Sequence, residues 1–70
     1  MIEIFKTNIT EQSIACTIRS DLNLLFNDAS ISFDLEDVDR VLRIQHPELV
    51  PQKVIDFVNN KGFLCEVLSA

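Results

Sequence analysis

Apolar residues along this chain switch from a repeat of two to a repeat near 3.6, back again, and then through the same change once more. That order restricts the folds available to it. Ile2, Ile4 and Lys6 point one way and Glu3, Phe5, Thr7 and Ile9 the other, the pattern of a half-buried strand. Ile14, Ile18, Leu22 and Leu25 then recur at steps of four, four and three, one face of a helix ending near Phe26. Thr10 is placed to cap that helix, with Glu11 and Gln12 in its first turn. After a turn at Asn27-Asp28, Ile31, Phe33 and Leu35 alternate with Ser32, Asp34 and Glu36. The acidic turn Asp37-Val38-Asp39 leads into 40–45, with Leu42 and Ile44 inward and Val41 and Arg43 outward. His46-Pro47 stops this strand, because proline has no N–H for the ladder. Pro51 suits the start of a second helix with Val54, Ile55, Phe57 and Val58 as its stripe, and Gly62 suits its left-handed end. A last strand is expected over 63–68, with Phe63, Cys65 and Val67 toward the core.

Strand, helix, strand, strand, helix, strand with right-handed crossovers predicts an α+β, ferredoxin-like βαββαβ sandwich. Its four-stranded antiparallel sheet has the order 4-1-3-2, with both helices on one face, and residues 1–70 form a single domain. The same topology gathers 8–13, 36–39 and 61–63 at one pole and puts His46 and Pro47 at the other. A chain of 70 residues is too short for a second domain or a deep enclosed active site. Its 47% hydrophobic content supports a packed core rather than disorder. Eleven acids against six bases, a net charge of −5, argue against nucleic acid and against anionic membrane surfaces as partners. No apolar run approaches the length of a membrane span, and the start lacks the basic-then-apolar pattern of a targeting segment. Two isolated cysteines, Cys16 and Cys65, read as reduced thiols, so a cytoplasmic location is expected. One glycine cannot build a phosphate-cradling loop, and the lone His46 stands apart from the acids and both thiols. No catalytic residue, and no enzyme, is expected.

The run Asn8-Ile9-Thr10-Glu11-Gln12-Ser13-Ile14, with Ile18 and Leu22 four and eight positions further on, resembles the heavy-metal-associated domain, the fold of copper metallochaperones. That family opens its first helix with Gly-Met-x-Cys-x-x-Cys. Phe33-Asp34-Leu35 is similar to its Val-Asp-Leu, and Lys61-Gly62-Phe63 with Cys65 and Val67 to its Gly-Tyr-x-Ala-x-Leu ending. The resemblance implies the same sandwich, with Ile9 in the place of a core methionine and Phe63 in that of an aromatic packed beside the metal loop. It also makes Glu11 and Ile14 the two ligand positions, so both thiolates are missing and soft Cu(I) has no partners there. The implied product is a retained scaffold with a degenerate metal loop and no cofactor.

Three features remain as candidate sites. Cys16 lies about 200° around the helix from Ile14, so it cannot replace the missing ligand; it reads as a solitary functional thiol or as a flank residue. Glu11 with Glu36, Asp37 or Asp39 suits a hard divalent cation, while an acid in a first turn also simply complements the helix dipole. Asp34, Glu36, Asp37 and Asp39 put four of the eleven acids within six residues, and with Glu11 they make an acidic pole fit for a basic protein surface. On the sheet face without helices, Ile2, Ile4, Val41, Leu64 and Leu68 are expected to form one apolar patch beside Arg43, a surface for a partner or for a homodimer. A binding or adaptor module follows, with a metal-handling protein and a small-ligand regulatory domain as the alternatives.

Overall fold

The computed structural model describes residues 1–68. Its elements are β1 (Ile2–Thr7), α1 (Gln12–Leu25), β2 (Ser30–Asp34), β3 (Val41–Gln45), α2 (Pro51–Asn60) and β4 (Cys65–Val67). The strands form one antiparallel sheet in the order β2-β3-β1-β4, and both helices pack on one side of it, which is the expected ferredoxin-like arrangement. Phe5 stands opposite Leu42 and Glu3 opposite Ile44, so the inward alternation of two strands coincides. Phe5, Leu42 and Ile44 are fully buried beneath Ile18 and Leu22 of α1 and Val54 and Val58 of α2.

Element ends differ from the sequence expectation where local hydrogen bonds decide them. Glu11, not Thr10, occupies the N-cap of α1, and no side chain caps that end. The buried stripe of α1 continues by a further step of four to Phe26, whose N–H donates to Leu22 O at 2.8 Å, while Leu25 is left half exposed. β3 starts at Val41 because Arg40 is turned into the left-handed region at φ +46°. β4 starts only at Cys65, because the Leu64 N–H is bound by Asn8 Oδ1 at 2.8 Å instead of a neighbouring strand.

Loops are tied down at both ends of the sheet. At one end His46 joins three segments: its N–H donates to Met1 O, its Nδ1 accepts from the Glu48 N–H, and its Nε2 meets Asn27 O at 3.0 Å. Its ring stands edge-on to Phe26 at 5.7 Å, so this histidine is a structural clamp. At the other end α2 closes in a Schellman turn. Gly62 N–H donates to Asn59 O at 3.0 Å and Phe63 N–H to Val58 O at 3.3 Å, with Gly62 at φ +95°. Nothing lies within 4 Å of where a Gly62 Cβ would stand, so glycine is needed there for its backbone angle alone. Gly62→Ala should therefore lower the unfolding free energy by about 1–2 kcal/mol, and Gly62→Asn by less, in urea melts that leave the folded spectrum unchanged.

Candidate functional site

The loop pole is assembled around Thr7, the only buried polar side chain among the described residues. Its hydroxyl donates to Arg40 O at 2.6 Å and accepts the Ile9 N–H at 3.2 Å, while its own N–H donates to Asp39 O at 3.0 Å. One residue thus locks the β1–α1 loop to the turn between β2 and β3. Within that turn Asp34 Oδ1 accepts the Glu36 N–H at 3.2 Å and Asp37 Oδ1 accepts the Asp39 N–H at 2.8 Å, both side-chain-capped turns. Arg40 N–H donates to Asp37 O, and the Arg40 guanidinium donates to the Leu35 carbonyl. Held this way, the turn presents Val38 at 92% exposure, amid Glu36, Asp37 and Asp39.

Around the first helix, Ile9 is fully buried and Ile14 is half-buried against the core, while Glu11 is exposed. Cys16 is exposed, free, and approached by Gln12 Nε2 at 3.8 Å. Among the described residues no three His, Cys, Asp or Glu side chains converge in a group able to hold a metal ion. Glu11, Asp37 and Asp39 share a pole without forming such a group, and Cys16 joins none. The second thiol, Cys65, is buried under the helices, and burial, with the Glu66 charge beside it, pushes its pKa from 9.0 to about 12.

An open groove of about 280 Å³ lies between α1 and the end of α2, lined by Ser13, Ile14, Thr17, Ile18, Lys61 and Phe63. Sequence reasoning placed Phe63 beside this loop but missed the groove. The signal was there in the glycine-closed turn after α2, which swings Phe63 back toward Ile14. Lys61 at the rim pairs with Asp21 at 3.1 Å and sits 5.3 Å from the Phe57 ring, while the Thr17 hydroxyl donates to Ser13 O.

The helix-free sheet face departs from its expected outline. Val41 is only 8% exposed, lying across from Asp34 and two places from Arg43, both longer side chains on the same face. Leu64 is 63% exposed but belongs to the loop pole, because β4 begins after it and the Lys6–Glu66 row intervenes. What remains together is Ile2, Ile4 and Leu68 at one corner, with Ile4 opposite Arg43 and bonded through its carbonyl to the Leu68 N–H. No helix among the described residues is long and apolar enough to cross a membrane.

Comparison with protein-family models, with curated proteins and with solved structures finds no match to this chain. The geometry of the pole and of the sheet face therefore carries the functional argument alone.

The two thiols give a direct check on this arrangement. Iodoacetamide at mildly alkaline pH should modify the exposed Cys16 and leave Cys65 intact until the chain is unfolded, as peptide mass mapping would read. Because the unfolded chain's thiol ionises near its ordinary 9.0 and the folded one only near about 12, stability should fall as pH rises across that interval. Cys65→Ala should flatten that part of the profile.

Proposed function

We propose that this chain is a small, non-enzymatic binding or adaptor module of the cytoplasm, a heavy-metal-associated-like scaffold whose metal loop is degenerate. It acts through protein–protein contact at the loop pole, toward a partner surface rich in Lys and Arg. The observation that carries this reading is Val38, a large apolar side chain 92% exposed on a turn fixed by hydrogen bonds and ringed by acids. An apolar contact on a rigid turn loses little freedom on docking, and surrounding like charges steer an oppositely charged partner. Arg40, held within the turn, offsets one of its charges and Lys61 is paired with Asp21, so the pole with Glu11, Asp34, Glu36, Asp37 and Asp39 stays acidic.

The burial of Ile14 in a position the family uses for a thiolate supports a loop converted to packing. The groove beside it favours the small-ligand alternative, yet it is open and smaller than the roughly 300–1,000 Å³ of ordinary ligand pockets.

The test is a titration of the isotope-labelled protein with a Lys/Arg-rich peptide containing one aliphatic residue, followed by amide NMR. Shifts should concentrate at Glu11 and residues 34–39, and Val38→Ser should weaken binding about tenfold. Raising salt from 0.1 to 1 M, which shortens the screening length from about 10 to about 3 Å, should weaken it further. Absence of shifts, or shifts spread over the whole chain, contradicts the reading. So does stoichiometric Cu(I) that survives desalting in native mass spectrometry.

A further inference from the structure

We propose that the helix-free face of the sheet seats a second copy of this chain, packed sheet to sheet across a two-fold axis. The inference rests on the reading of the chain as a protein-contact module, but it uses the surface opposite the helices rather than the loop pole.

Charge is the first argument. The chain as a whole carries −5, so two copies repel at most approaches. On this face the sheet register places Lys6 opposite Glu66, Arg43 opposite Ile4, and Asp34 opposite Val41. The face therefore holds two bases and two acids, all exposed, and is electrically balanced in an otherwise acidic molecule. A surface with both signs can be complementary to itself, as a two-fold interface requires. Arg43 and Glu66 lie on either side of the pair Ile4 and Leu68. An axis in the plane of the face, running between them, brings Arg43 of each copy over Glu66 of the other and closes Ile4 against Leu68. Lys6 and Glu66 face each other across the ladder without forming an ion pair, so Glu66 keeps its charge available.

Area is the second argument. A standard interface takes about 800 Å² from each partner. Four strands about 4.8 Å apart and at most six residues long span about 19 × 20 Å, so the sheet alone offers about 400 Å² and the dimer falls in the small, readily dissociating class. The apolar corner of Ile2, Ile4 and Leu68 is much smaller than this, and the charged rows must take part. That requirement selects a partner matching both signs, which a second copy provides.

Sedimentation velocity on the full chain tests the proposal over a dilution series. The wild type should sediment as a species of twice 8.0 kDa and dissociate on dilution. Ile4→Asp should leave the far-ultraviolet spectrum unchanged and weaken the dimer by at least about tenfold. Arg43→Glu should do the same by setting like charges across the interface, and Arg43→Glu with Glu66→Arg should restore it. A wild type that remains monomeric up to about 1 mM overturns the proposal, as does a dimer indifferent to both Ile4→Asp and Arg43→Glu. Either result leaves the peptide titration of the loop pole intact, so the two readings fail separately.

Discussion

A threonine buried at the end of a central strand joins two loops that the chain order separates by more than thirty residues. The hydroxyl of Thr7 reaches the carbonyl of Arg40 and receives the N–H of Ile9, and its backbone N–H holds Asp39 O. Without these bonds two buried or half-buried backbone groups would lack partners, a loss of about 1–3 kcal/mol each. Arg40 has a positive φ that a long side chain rarely adopts, and it is held there by the bond its carbonyl accepts from Thr7 and those it donates to the Asp37 and Leu35 carbonyls. The position of the acidic turn follows from this knot.

The acids of that turn have two distinct employments. Asp34 and Asp37 bend the backbone by accepting N–H groups two residues on, which is local turn chemistry and requires no ligand. Glu36, Asp39 and Glu11 contribute charge to the pole, while Val38 stands out among them. A dense acidic run is therefore partly structural, and the exposed valine is the feature that local folding leaves unexplained.

Much of the architecture was legible because the two periodicities are clean. Ile31 to Glu36 alternates strictly, Ile14 to Leu22 steps by four, and Pro51 and Gly62 bracket the second helix. The misplacements came from local hydrogen bonds that periodicity does not report. Asn8 occupies the Leu64 N–H and shortens the last strand, and the stripe of α1 runs on to Phe26 instead of turning to Leu25. Val41 alternates outward correctly, yet its longer neighbours on that face leave it little exposure, which alternation cannot report. Thr7 escaped attention for the same reason: a threonine in a strand looks like β-propensity until its hydroxyl partners are known. Position in the fold, rather than motif, separates the two cysteines: one lies exposed on the first helix, the other is buried in the core.

Amide hydrogen exchange read residue by residue tests the central role of the Thr7 hydroxyl most directly. In the native chain the amides of Thr7, Ile9 and Arg40 should be protected together. In Thr7→Val, Ile9 and Arg40 should lose protection by about tenfold or more, equivalent to about 1.4 kcal/mol, while Leu42 and Ile44 in β3 keep theirs. An Ile9 amide that exchanges freely in the wild type, or one unaffected by Thr7→Val, would contradict the account.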